Sequence, residues 1–265
     1  MKKIITLTAL IITLLACNNN KDSNADSPII NATPAPIVMN YTVAKIYPHD
    51  TTSFTEGLFL LDGFLYESTG MNGESKLLKV KLETGNAVQK INLAKKYFGE
   101  GISMINNKIY QLTYQEHKVF VYDMNFKKIG EFEWPYEGWG MTTDGKQLII
   151  DTGGSNLYFV NPETFRIERT LGVVNNNGYV DSINELEYVN GFIYANIWQS
   201  NYIIKINPKT GLVEARADLS DILTKNTYPQ TKKQDVLNGI AYDASKGSFY
   251  VTGKYWPALF EVKLN

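Results

Sequence analysis

The stretch Phe54-Thr55-Glu56-Gly57-Leu58 is repeated in altered form four times along the chain. The copies are Phe98-Gly99-Glu100-Gly101-Ile102, Gly138-Trp139-Gly140-Met141, Asn184-Glu185-Leu186 and Leu237-Asn238-Gly239-Ile240. From Glu56 through Glu100, Trp139 and Asn184 to Asn238 the spacings are 44, 39, 45 and 54 residues. Each copy runs into a turn: Asp62-Gly63, Asn106-Asn107, Asp144-Gly145, Asn190-Gly191, and the segment from Asp243 to Gly247. A period of about 45 residues with several strands per unit is the mark of a propeller. Such a fold brings equivalent positions of every blade around one axis. Residues scattered along the chain therefore become a ring, and the ring is the candidate site.

The segments between these copies read as strands. They alternate apolar and polar residues, or form short apolar runs bounded by turn residues. Second strands fall at Phe64 to Glu67, Lys108 to Gln111, Leu148 to Asp151, Phe192 to Ala195 and Phe249 to Thr252. Third and fourth strands follow in four units, with turns such as Glu83-Thr84-Gly85-Asn86 and Pro208-Lys209-Thr210-Gly211 between them. The fifth unit stops after Leu259 to Leu264, one strand short. An unmatched strand, Tyr41 to Tyr47, stands at the other end. The expected fold is all-β, a five-bladed β-propeller closed by this N-terminal strand, which completes the last blade. A long connection, about Ala215 to Val236, holds a short helical candidate at Leu219 to Leu223 and could as well wall the pocket as pack.

The first forty residues read differently. Lys2 and Lys3 precede an apolar run, Ile4 to Ala16, that is too short for a permanent bilayer span. Leu14-Leu15-Ala16-Cys17 resembles a bacterial lipoprotein signal, with Cys17 lipidated. Residues 17–40, rich in Asn, Asp, Ser, Ala and Pro, read as a tether, and 41–265 as one catalytic domain. The lipid would be the only membrane attachment, on the non-cytoplasmic side of a bacterial envelope. Cys17 is the single cysteine, so disulfides are excluded. The formal charge is −1, without a basic stripe, which argues against a nucleic-acid partner. A monomer is expected.

In a propeller the starts of the inner strands share a face with the loops between second and third strands. The expected site therefore pools Glu56, Glu100, Asn184 and Asn238 with Trp139, Trp198 and Lys254, and with Tyr114 and Trp256 as further aromatics. His49 and His117 are the only histidines and neither has a second ligand at zinc spacing. A nucleophile elbow and a glycine-rich phosphate loop are also missing. What remains is carboxylate acid–base chemistry on a modest organic ligand, with no cofactor and no metal expected.

Seven motifs carry a family resemblance, in order, over residues 42 to 264. They are Phe54 to Leu58, Tyr97 to Gly101, Trp139 to Gly145, Asn184 to Tyr188, Ala195 to Gln199, Leu237 to Ala241 and Val251 to Lys254. Together they resemble the plant and bacterial glutaminyl cyclases. The resemblance implies a five-bladed propeller that converts the N-terminal glutamine of peptides and proteins to pyroglutamate, releasing ammonia without zinc. It places the acid–base glutamate on Glu100, and ring and pocket residues on Trp139, Asn184, Trp198 and Lys254. Many members have glutamine where this chain has Glu56, which adds a charge beside the site. That charge would either bind the substrate amine or raise the Glu100 pKa. Two other readings compete: a non-catalytic propeller that binds peptides, and a metal-dependent, lactonase-like hydrolase.

Overall fold

A computed structural model describes residues 33–228 and 231–265. It contains five four-stranded antiparallel sheets in chain order around one axis, a five-bladed β-propeller. The first blade is Thr55–Leu61, Phe64–Thr69, Lys76–Lys81 and Asn86–Asn92, from inside outward. The inner strands of the other blades are Gly99–Ile105, Met141–Thr143, Ile183–Val189 and Leu237–Asp243. Tyr41–Pro48 pairs antiparallel with Ala258–Leu264 as the outer strand of the fifth blade. Among the described residues one short helix, Ile222–Lys225, lies between the fourth and fifth blades in sequence.

Burial follows position within the blade. Inner strands are buried nearly throughout, whereas outer strands such as Asn86–Asn92 are largely exposed. Successive side chains of a strand point to opposite faces of its sheet. Leu58 thus packs between the fifth and first blades, and Phe59 between the first and second. Five apolar clusters result, one in each gap between neighbouring blades. At Asp62-Gly63, Asn106-Asn107 and Asn190-Gly191 both residues have positive φ. Two such residues in a row suit the twist of a tight hairpin, and Asp, Asn and Gly tolerate them best.

One expectation changes, and one open alternative is decided. Ile37–Met39, read as tether, forms a parallel pair with Val213–Asp218 at the outer edge of the fourth blade. That edge offers unpaired backbone groups, and an added strand satisfies them. For the described residues of the long connection, the open alternative falls to packing: Leu219, Ile222 and Leu223 are buried between the fourth and fifth blades. Cys17, the apolar run before it and residues 17–32 of the expected tether lie outside the described residues.

Candidate active site

A cavity of about 180 Å³ opens at one end of the propeller axis. Its walls are Phe54, Glu56, Phe98, Glu100, Tyr114, Trp139, Asn184, Trp198 and Lys254. Six of the seven residues expected to catalyse or bind substrate therefore share one mouth. The seventh, Asn238, is buried behind Glu56 and off the wall. Its Nδ2 donates to Glu56 Oε2 at 3.0 Å and to the Thr55 carbonyl at 2.9 Å. Trp256, expected among the aromatics, points elsewhere, donating its indole N–H to the Asp235 carbonyl at 2.8 Å.

Backbone irregularity aims these side chains. The pairing of inner with second strand slips at Glu56, at Glu100-Gly101, at Asn184-Glu185 and at Asn238-Gly239. A bulge adds one residue to a strand and re-aims its side chain. The same local device thus turns a residue of four blades toward the axis. Glycine follows four of the five ring residues because the inner strands crowd there. A Cβ on Gly57 would lie 2.6 Å from the Ile102 nitrogen, and one on Gly101 would meet the Trp139 carbonyl.

The exception, Glu185, fills the space that glycine leaves elsewhere. It is fully buried and accepts from Leu58 N at 3.0 Å and Ile240 N at 2.7 Å, joining three blades. Asp151 plays a similar part beneath Trp139. It accepts from Gly140 N and Gly153 N, both at 3.0 Å, and Gly153 lies against the Trp139 ring. Neither carboxylate was expected from the sequence. Phe54 and Phe98 were also missed as wall residues, although a signal existed: each stands two residues before a glutamate, on the same face of an extended chain.

The ionisable groups of the mouth are tightly coupled. Lys254 Nζ donates to Glu56 Oε1 at 2.7 Å and lies 4.4 Å from the centre of the Phe54 ring. Both partners are buried. Burial lifts the Glu56 carboxyl to about 7, against the pull of Lys254. Burial and then the charge of Glu56 hold Glu100 well above the ordinary carboxylate range, with Lys254 opposing. Trp139 meets Trp198 edge to face, with ring centres 5.6 Å apart, and Trp198 remains 40% exposed at the rim.

Two N–H groups near the mouth are already engaged. The Trp139 indole N–H donates to Glu137 Oε2 at 3.3 Å, and Gly101 N donates to the Trp139 carbonyl at 2.7 Å. The ammonium of Lys254 has three N–H groups and can serve Glu56 and a ligand together. Among the described residues the buried Asn184 Oδ1 has no hydrogen-bond partner, and it offers an acceptor.

The family model for glutamine cyclotransferase matches residues 8–264. The chain belongs to the glutamine cyclotransferase family. Within it, the chain is 38% identical over 225 residues to the glutaminyl-peptide cyclotransferase of Arabidopsis thaliana, covering 84% of this chain and 70% of that one. The crystal structure of Myxococcus xanthus glutaminyl cyclase superimposes with a TM-score of 0.80 at 34% identity. That match covers 87% of this chain and 98% of the Myxococcus chain. A cyclotransferase is an enzyme, so the peptide-binding propeller without catalysis falls away as a reading of this chain.

Proposed function

We infer that this cyclotransferase acts on the N-terminal glutamine of peptides and proteins, closing it to pyroglutamate with release of ammonia, and that Glu100 moves the proton. One observation carries the assignment to Glu100. It is a buried carboxyl on the cavity wall, pushed well above the ordinary carboxylate range by burial and by Glu56 and, among the described residues, in no salt bridge. The cavity suits one amino-acid side chain with its amine, and the aromatic walls suit methylenes.

The α-amine nitrogen attacks the side-chain amide carbon, and the carbonyl oxygen takes negative charge. The bond to the amide nitrogen then breaks as that nitrogen gains a proton from Glu100. The amine loses a proton to Glu100 in turn, so the acid is restored and ammonia leaves. The α-amine has a reference pKa of about 7.7–8.0, so a neutral fraction is available without a strong base. Holding both ends of one short side chain together lowers the barrier by proximity. Lys254 faces the developing oxyanion. The Asn184 amide oxygen accepts from the substrate amine, and Asn238 fixes Glu56. Trp139 and Trp198 clasp the glutamine methylenes and keep water out.

Ammonia release from a glutamine-initiated dipeptide tests this reading, with the N-acetylated dipeptide as control. Release from the free dipeptide alone is expected. Equal release from both, or from neither, would overturn it. Chelator-sensitive hydrolysis of a lactone without ammonia release would favour the lactonase-like reading instead. The charged start, apolar run and Leu-Leu-Ala-Cys sequence further support a lipid on Cys17 that holds the enzyme at a bacterial envelope membrane. Membrane fractionation of Cys17→Ala checks this, since the variant is expected to lose the membrane-bound pool.

A further inference from the structure

A second buried ionisable pair lies outside the cavity, between the segments that carry Glu56 and Lys254. His49 follows the outer strand of the fifth blade and is buried. Its Nδ1 is 2.8 Å from the Trp256 carbonyl oxygen, and its Nε2 is 3.2 Å from Glu67 Oε1. Thr55 Oγ1 donates to that same carboxylate oxygen at 2.7 Å. One imidazole is thereby tied through Glu67 to the residue before Glu56, and directly to the second residue after Lys254.

A carbonyl only accepts, so Nδ1 carries a proton. An ionised carboxylate also only accepts, so one further proton must lie between Nε2 and Glu67. Its loss would set a ring lone pair against a carboxylate. The turn that this imidazole grips needs holding. Tyr255, next to Lys254, has φ +60°, a conformation that bulky residues rarely adopt. Its backbone N–H donates to the Ser53 carbonyl at 2.8 Å, so the turn is pinned to the first-blade segment on both sides.

We propose that His49 and Glu67 are a positioning pair that keeps Glu56 and Lys254 in working register, and that loss of their shared proton disarms the site. The activity readout of this proposal rests on the cyclisation reading above; the titration readout does not. Besides Glu67, the charged groups facing the small cavity at His49 are Asp50, Lys76 and Lys90. Burial disfavours the charged ring, but Glu67, the Trp256 carbonyl and Asp50 outweigh it, and the His49 pKa is raised. The pair is therefore complete below the ordinary histidine value and fails as pH rises through the raised one.

The chain has only one other histidine, His117, which is exposed. In a His117→Gln background the imidazole NMR signal belongs to His49 alone. It is expected to titrate above about 6.5 and to fall in Glu67→Gln. In steady-state kinetics, His49→Gln is expected to lower kcat by about 10- to 100-fold, the scale of a small misplacement of reacting groups, with KM little changed. The alkaline limb of kcat/KM should fall with two protons in the parent, from Glu100 and His49, and with one in His49→Gln. The double variant with Glu67→Gln should be no slower than His49→Gln alone, because both act through one node. An active parent whose single variants keep its kcat and limb slope overturns this proposal alone. So does an imidazole signal titrating at or below the ordinary value. If His49→Gln does not fold, Glu67→Gln and the titration decide. A parent that releases no ammonia overturns the cyclase reading, and the functional half of this proposal with it.

Discussion

Two groups of buried carboxyls lie around the propeller axis and differ in what they touch. Deep in the ring, Glu185 and Asp151 accept hydrogen bonds from backbone N–H groups, Leu58 and Ile240 for the first and Gly140 and Gly153 for the second; the half-buried Glu187 beside them accepts from Tyr242 N and from the Thr142 hydroxyl. At the mouth, Glu56 meets side chains, Lys254 and Asn238, and Glu100 faces the cavity. Burial raises the pKa in both groups, Glu187 reaching about 8 and Glu185, Asp151 and Glu100 standing well above their ordinary values. A shifted pKa therefore does not separate them. The partner does: a carboxyl occupied by backbone donors holds strands together, whereas one that faces space can exchange a proton with a ligand.

The largest effect should come from Glu100→Gln. Burial favours the protonated form of Glu100, so its amide isostere buries no new charge and leaves no backbone donor orphaned. Folding and melting temperature are expected to hold. Ammonia release should fall by about 10²- to 10⁴-fold, the range of a lost general acid–base. Parental turnover in a folded variant would erase the distinction between mouth and interior. Glu185→Ala probes the other side. It orphans the N–H groups of Leu58 and Ile240, at about 1–3 kcal/mol for each buried donor. For a domain of this size that corresponds to about 2–4 °C of melting temperature per kcal/mol. Turnover of the folded fraction should change far less than in Glu100→Gln. A variant that melts like the parent but turns over poorly would place Glu185 in the chemistry.

The sequence carried the ring itself. Five copies of one short pattern at a near-constant period were enough to place Glu56, Glu100, Trp139 and Asn184 around an axis, and a count of strands assigned Tyr41 to Tyr47 to the fifth blade, where the structure pairs Tyr41–Pro48. Depth within the ring was not legible. Asn238 occupies the same repeat position as Asn184, yet it sits behind Glu56, because distance from the cavity depends on the bulges and on neighbouring side chains. Glu185 stands where other copies have glycine, and only the three-blade convergence explains a carboxyl there. Trp256 was misplaced because the Gly253–Trp256 turn sends its indole back toward Asp235. Ile37–Met39 looked like tether because three residues carry too little pattern to declare a strand. Their partner edge, Val213–Asp218, is remote in sequence.

Glu56→Gln sharpens the comparison with the smallest change, one atom at the mouth. The glutamine oxygen can still accept from Lys254, but its N–H₂ then faces the Asn238 amide, which must turn its Oδ1 inward and give up its bond to the Thr55 carbonyl. Folding should survive. The negative charge that helps hold Glu100 protonated is gone, and Lys254, without its counter-ion, pulls Glu100 toward ionisation. Both changes lower the Glu100 pKa. Glu100 delivers a proton to the departing nitrogen, so activity is lost as pH rises through that pKa. The sign follows: the alkaline limb of kcat/KM moves to lower pH in Glu56→Gln, while the acid limb, set by the substrate amine, stays in place. At the optimum, turnover changes only modestly. A limb that does not move would mean that burial alone sets Glu100. A limb that moves to higher pH would mean that Glu56, not Glu100, titrates in the parent, and the roles of the two glutamates would be exchanged.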